Sequence, residues 1–250
     1  MRKGESVIDE VVEDAAGSRR GGSLNRDGFA EPGRSARKRR AITAAARTVF
    51  LRNGYGGTSM DEVAALAEVS KQTVYKHFAN KKQLFTAVIT GDISATEALT
   101  HAMVAALADS ADIEQDLRQF ARRHLIDVMQ PHLVQLRRIV IAEAGRFPEL
   151  ARTWYASGPE RAHASLADQF QALAGRGLLR VEDPLLAAQH FNWLILSIPL
   201  NKAMFHGSNT VFTPSDLERY ADEGVRVFLA AYGPAAQPRT RRRTASANSS

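Results

Sequence analysis

From Ser35 to Asn53 the apolar residues Ile42, Ala45, Ala46, Val49 and Phe50 recur three and four positions apart, the spacing that lines one face of an α-helix. Gly54 follows and is expected to stop that helix, because glycine enters the left-handed conformation of a helix C-terminus without strain. The next run, "TSMDEVAALA", opens with Ser59 and carries Glu62 three residues later. That pair reads as a capping box, each side chain satisfying an orphan amide of the first turn. Ser70 then caps a third short helix over 70–78, with Val63, Ala64, Val69, Val74 and Phe78 facing inward. Asn80, with Gln83 three residues on, is the expected N-cap of a helix beginning at Lys81.

Downstream the pattern stays helical. Segments are expected at 81–108, 112–130, 132–146, 149–155, 158–175, 184–205 and 214–232. Pro131 and Pro148 sit at breaks, since the residue before proline avoids the helical region. Asp183-Pro184 and Thr213-Pro214 each read as an N-cap followed by proline at the first helical position. Gly175 and Gly177 bracket a turn, and Pro199, inside an apolar run, predicts a kink or an early stop. No run alternates convincingly as a strand, and no internal repeat is visible. The fold class is therefore all-α.

Composition narrows the class. The chain has 250 residues, 44% of them hydrophobic, enough to bury a sizeable core. It has no cysteine, which removes disulfides, thiolate metal sites and cysteine nucleophiles. The N-terminus, "MRKGESVIDEVVEDAAGSRRGG", carries acids where a secretory signal would be apolar, and no run of apolar residues is long enough to span a bilayer. A soluble, cytoplasmic protein is expected, with no membrane partner. Residues 1–33 and the tail 236–250 are too polar and low in complexity to order themselves, although "VIDEVV" has the makings of a brief helix.

The charge is unevenly placed. The formal net charge is +6, yet residues 34–82 hold eleven Lys/Arg against three Asp/Glu, and the tail 236–250 holds four Arg and no acid. Residues 83–235 are net acidic, with thirteen Lys/Arg and seventeen Asp/Glu. A basic head on a mildly acidic body points to a polyanion as partner of the head. The third helix strengthens this, because it turns Lys71, Gln72, Thr73, Tyr75, Lys76 and His77 outward. Two short helices joined through Ala67-Glu68-Val69 have the pattern of a helix-turn-helix, whose second helix enters the major groove. Gln bonds adenine in two places and Lys bonds guanine O6/N7, while Thr, Tyr and Lys hold phosphates and set register. An ordinary helical hairpin with a wet face is the bland alternative.

The segment "AITAAARTVFLRNGYGGTSMDEVAALAEVSKQTVYKHFANKKQLF" resembles the N-terminal DNA-binding domain of the tetracycline-repressor (TetR/AcrR) family. The likeness covers residues 36–96 and rests on the alanine-rich first helix ending "F-x-x-x-G-Y", then "T-S-M-x-x-V-A", "V-S-x-x-T-V-Y-x-H-F" and "N-K-K-x-L-F", with the motif itself at 59–78. One departure stands out. The family commonly has glycine two residues before the recognition-helix cap, and here it is Glu68. If that position is left-handed, a non-glycine residue strains the turn by about 1 kcal/mol.

The resemblance implies roles. Thr58, Tyr75, Lys76 and Lys81 match positions that commonly touch phosphate, and the cap serines Ser59 and Ser70 join the DNA-facing set. Lys71, Gln72, Thr73 and His77 lie on the face that reaches bases. Tyr75 is alternatively a packing ring that offers only its hydroxyl, and His77 alternatively a packing histidine. Arg37, Lys38, Arg39 and Arg40 would follow the backbone or enter the minor groove, or else form a solvated charge run. The body, 97–235, would hold a ligand cavity and a dimer interface built from the last two long helices. Met103, Phe120, His124, Trp154, Tyr155, Phe191, Trp193 and Met204 are the candidate cavity residues, each with core packing as its alternative. Leu194, Leu217, Tyr220, Val227 and Phe228 are the candidate interface residues. The "Arg-Phe-Pro-Glu" run at 146–149 reads as a structural elbow. His101, His124, His132, His163, His190 and His206 are scattered with no metal-ligand spacing, so neither metal nor cofactor is expected.

The reading is a sequence-specific transcriptional regulator, a repressor released from a palindromic double-stranded operator by a small molecule and acting as a homodimer. The alternative keeps the DNA-binding head but answers to a protein partner, or activates. A helical enzyme is the third reading. It has no nucleophile–base pair, phosphate loop or metal motif to support it.

Overall fold

A computed structural model of the chain describes residues 33–206 and 212–234, with the backbone alone for 95–101. The expected disorder of 1–33 (Gly33 apart) and 236–250, and the brief helix at "VIDEVV", fall outside the described residues. Among the described residues all regular structure is helical. The order is α1 Arg34–Gly57, α2 Met60–Leu66, α3 Lys71–His77, α4 Lys81–Ala106, α5 Ile113–Val128, α6 Pro131–Glu143, α7 Pro148–Tyr155, α8 Arg161–Gly175, α9 Pro184–Phe205 and α10 Pro214–Tyr232. The chain divides into two units, 1–40 and 41–250, and α1 begins in the first. None of these helices is long and apolar enough to cross a membrane.

Three boundaries differ from expectation. Gly54 does take a left-handed φ of 69°, but it breaks α1 rather than ending it, and a further turn carries the chain to Gly57. Pro199 does not stop α9, which runs on to Phe205. The proline removes one backbone hydrogen bond. Pro199 is itself buried, with Leu196, Leu200 and Ala203 around it, so packing holds the helix where a bond is missing. The gap expected between α7 and α8 is filled by a π-helical turn, Ala156–Glu160, which houses Pro159.

The caps explain where most helices start. Asp112, Asp183 and Thr213 each accept a hydrogen bond from the amide three residues on, at 3.1, 3.0 and 3.2 Å. Asn80 accepts from the Gln83 amide at 2.9 Å, while the Gln83 side chain accepts from the Ala79 amide at 3.1 Å. The Ser59–Glu62 capping box forms only by half. Ser59 accepts from the Glu62 amide at 3.1 Å, but the Glu62 carboxylate accepts from Asn53 at 2.8 Å and from Arg52, which fastens α2 to the end of α1.

Two apolar cores hold the chain. In the first, α1 to α4 enclose Ile42, Val49, Phe50, Val63, Val74, Leu84 and Phe85, all completely buried. This core continues into α6 and α7 through Leu136, Val140, Leu150 and Trp154. In the second, Leu117 and Leu125 of α5, Phe170 of α8, Phe191 and Ile195 of α9, and Val225 and Phe228 of α10 are likewise sealed from solvent. The rings of Phe170, Phe191 and Phe228 lie 5.0–5.7 Å apart in stacked and edge-on pairs, each contact adding about 0.5–1.5 kcal/mol to the burial itself. Helices α9 and α10 cross closely at Gly224, where a Cβ would come within 3.2 Å of the Ile195 backbone.

Candidate nucleic-acid interface and body cavity

The turn between α2 and α3 is a Schellman motif. The Val69 amide donates to the Ala64 carbonyl at 3.1 Å and the Glu68 amide to Ala65 at 3.2 Å, which puts Glu68 in the left-handed region at φ 53°. Ser70 follows and caps α3 by accepting from the Thr73 amide at 3.1 Å. The two hydroxyls of Ser70 and Thr73 also meet at 2.8 Å. Val74 and Phe78 anchor α3 in the first core, so Lys71, Gln72, Tyr75 and Lys76 are exposed, and Thr73 and His77 are half-buried. Gln72 and Lys76 have no hydrogen-bond partner among the described residues. Lys71 instead meets the Asp61 carboxylate at 2.9 Å, and that bond raises its pKa. The Tyr75 ring is 45% exposed and so does not pack away, whereas the His77 ring lies 6.5 Å from that of Phe78.

Two of the residues expected at phosphate, Thr58 and Lys81, also bond within the head. Thr58 is buried, and its hydroxyl donates to the Gly54 carbonyl at 2.7 Å, bridging the break in α1. Lys81 is half-buried, with its ammonium donating to the carbonyls of Gly56 at 3.2 Å and Thr58 at 3.0 Å and lying 4.9 Å from the centre of the Tyr55 ring. An ammonium has three N–H donors, so one is left to face outward. Ser59 is exposed but committed to its cap. Arg37, Lys38, Arg39 and Arg40 lie in the first unit, on the exposed leading turns of α1.

The body holds a partly open cavity of about 370 Å³, within the range that holds drug-sized ligands. His124, Trp154, Tyr155 and Trp193 line it, as do Ile93, Leu133, Val140 and Leu196. Its polar groups are few. The His124 Nε2 lies 3.1 Å from the Asn192 Oδ1, and burial lowers the His124 pKa, a shift that the Asn192 bond partly opposes. Asp127 accepts from the Arg123 guanidinium at 2.9 Å. The Arg137 guanidinium lies 5.8 Å from the centre of the Trp154 ring, and burial lowers its pKa.

The other four candidates do not reach the cavity. Phe120 and Phe191 are buried in the second core, 5.9 Å apart, and the half-buried Met103 packs against that core. Met204 is half-buried near the end of α9 without lining the cavity. Sequence reading missed Arg137, Asp127 and Asn192. Asn192 and Arg137 each interrupt an apolar run, in "HFNWLIL" and "LVQLRRIVIA", and a polar residue inside such a run is a sign of a buried polar site. Of the candidate interface residues, Leu194 and Val227 are exposed at 38% and 41%. Leu217 and Phe228 are buried within the chain's own core, and Tyr220 is half-buried with its ring edge-on to Phe212 at 5.8 Å.

Helix α7 is one connection between cavity and head, beside Ile93 of α4 and Val140 of α6, which also line the cavity and belong to the first core. Trp154 lines the cavity and also belongs to the first core. At the other end of the helix, the Phe147 ring meets Tyr55 edge-on at 5.0 Å, and Glu149 pairs with Lys82 at the start of α4 at 2.9 Å. The elbow at 146–149 therefore joins the body to the head.

Known proteins share this architecture. Residues 42–88 match the family model of bacterial regulatory proteins of the tetR family, and residues 115–234 match the C-terminal domain of AefR-like transcriptional repressors. The crystal structure of a protein from Mesorhizobium loti MAFF303099, assigned to the TetR-family transcriptional regulators, is 44% identical with a TM-score of 0.76, covering 81% of this chain and 100% of that one. The flavonoid-responsive regulator FrrA is 32% identical with a TM-score of 0.65, covering 80% of this chain and 100% of its own. The HTH-type transcriptional activator FasR of Mycolicibacterium smegmatis is 36% identical over 104 residues, and that match spans only 42% of either chain. With a capped recognition helix in the head, a helical body behind it and two solved relatives matched along their whole length, the chain belongs to the TetR family of DNA-binding transcriptional regulators.

Proposed function

We propose that the protein is a homodimeric repressor that leaves its operator when a small molecule fills the cavity of the body. The observation that carries the reading is the double membership of Trp154, which lines the cavity and packs in the core that supports α1 to α4. A ligand acts on DNA binding only through a difference in its affinity for two conformations. A shift of α7 would move Phe147 and Glu149 against Tyr55 and Lys82, and with them the spacing of two heads over a palindrome. The C-terminal match to AefR-like repressors supports repression. The flavonoid response named for FrrA supports planar aromatic compounds as the first ligands to try. In the head, Gln72 and Lys71 would read bases while Tyr75, Lys76 and the remaining N–H of Lys81 hold phosphates.

The test is a footprint of the neighbouring intergenic DNA, followed by gel shifts with the footprinted site and a scrambled one. Binding to the true site should weaken by about a thousandfold or more between 50 and 200 mM salt, since each dimer neutralises several phosphates. A flavonoid panel should release it. Equal affinity for the scrambled site would overturn the DNA reading, and a complex indifferent to every cavity-binding compound would overturn the switch.

A further inference from the structure

The cavity wall is apolar, so the charge it carries decides which ligands it accepts. Besides the phenol of Tyr155, three ionisable groups line it: His124, Asp127 and Arg137. Burial disfavours the imidazolium, so His124 is held neutral and shares its Nε2 with Asn192. Asp127 has its countercharge in Arg123, 2.9 Å away. Arg137 differs from both. It is half-buried in the cavity wall, it lies against the Trp154 ring, and among the described residues no carboxylate is paired with it. A guanidinium does not shed its proton, so the cavity holds an uncompensated positive charge. Leaving a charge unpaired in an apolar site is costly, and the arrangement persists where a partner of opposite sign completes it.

We propose that the ligand of this cavity is an aromatic or otherwise apolar molecule bearing one acidic group, a carboxylate or an acidic phenol, which sits on Arg137 with its rings between Trp154 and Trp193. The fork of the guanidinium matches two oxygens of a carboxylate, and its carbon already lies over an indole. The His124–Asn192 pair then supplies one neutral polar contact farther along the wall. This deepens the reading of the cavity as the regulatory site and rests on it.

The protein reports its own occupancy, because its two tryptophans, Trp154 and Trp193, both line the cavity. Quenching of their fluorescence in the full-length protein, without DNA, gives dissociation constants for three isosteric probes: naphthoate, naphthamide and naphthylmethylammonium. Naphthoate should bind about tenfold or more tightly than naphthamide, and the ammonium should be the weakest. Arg137→Gln should abolish the preference for naphthoate while leaving naphthamide within about threefold. Arg137→Lys should restore part of the preference, which a merely structural arginine would not do. If Arg137→Gln fails to fold, Arg137→Met replaces it, since it removes the buried charge while keeping an unbranched stem.

Equal binding of naphthoate and naphthamide by the wild type, tighter binding of the ammonium, or a preference that survives in Arg137→Gln would each overturn the proposal while leaving the cavity as a ligand site. Failure of all three probes to bind at millimolar concentration would overturn both. Operator binding takes no part in the readout, so a failure of the DNA reading shows separately.

Discussion

Glu68 is strained by the turn it occupies. At φ 53° its Cβ crowds the backbone, at a cost of about 1 kcal/mol that glycine would not incur. Glu68→Gly should therefore stabilise the chain by up to about 1 kcal/mol, less the entropy that glycine returns to the unfolded state, and raise the melting temperature by a few degrees. Thermal melts of the two proteins decide it, and an unchanged or lower midpoint would mean the turn relaxes around the glutamate. On α3 the free side chains separate two tasks. Gln72→Ala should relax preference at one base pair per half-site, worth about 1–3 kcal/mol of discrimination. Lys76→Ala should weaken all sites alike and lower the salt slope by about one for each subunit. A binding matrix over single-base operator variants distinguishes them. The caps Ser59 and Ser70 were legible because capping acts over three residues. The anchoring of Lys81 was not, because the carbonyls it reaches lie twenty-five and twenty-three positions back along the chain. The bond of the Thr58 hydroxyl to the Gly54 carbonyl was not legible either, because it depends on the break in α1.

At the scale of elements, α7 and the pair α5–α10 make different demands. Helix α7 touches the cavity at Trp154 and the head at Phe147 and Glu149. Phe147→Ala should leave probe binding intact by tryptophan fluorescence yet blunt the release of operator by ligand. Full release from the variant would show that coupling takes another route. Helices α5 and α10 are joined by Arg122 and Asp222, whose two bonds of 2.7 and 2.6 Å hold the Asp222 carboxyl below its usual 3.8. With the folded pKa depressed, the stabilisation is present above about pH 4 and is lost as pH falls through the folded value. Both groups are partly exposed and screened, so Asp222→Asn should cost only about 0.5–1 kcal/mol at neutral pH. The difference from wild type should shrink as the pH falls below 3.8, as measured by denaturant titration at pH 7 and pH 3. The helices themselves were legible from their period and their prolines. Pro199 was the exception, because the early stop it allows does not occur and the helix continues, buried, to Phe205.

At the scale of the molecule, the head was read almost whole from sequence and the body only in outline. The head's contacts are local, between helices a few residues apart. The cavity and the interface depend on which faces of α5 to α10 meet, and helical period does not reveal that. Phe228 shows the consequence. Its apolar stripe is real, but that stripe is spent inside the chain, where Phe228 packs against Phe170, Phe191 and Tyr232. What α9 leaves outward is a different row, Leu186, Leu194 and Ile198 at 44%, 38% and 53% exposure, spaced by multiples of four, with Val227 of α10 exposed as well. A second copy would cover such a row by two-fold symmetry, four helices closing on one another. The test must disturb that face and not the core beneath it. Phe228→Asp would unfold the protein and say nothing of assembly. Leu194→Glu begins at the surface, so the isolated chain should keep its helical circular dichroism and most of its melting temperature. In a dimer the same carboxylate would be buried without a partner, at a cost of several kcal/mol. Sedimentation should then show a folded monomer at micromolar concentration where the wild type is a dimer. Operator affinity should fall by a hundredfold or more, because two linked heads gain about 10²–10⁴ in avidity that one head lacks. A Leu194→Glu dimer with undiminished operator binding would place the interface on another face of the body.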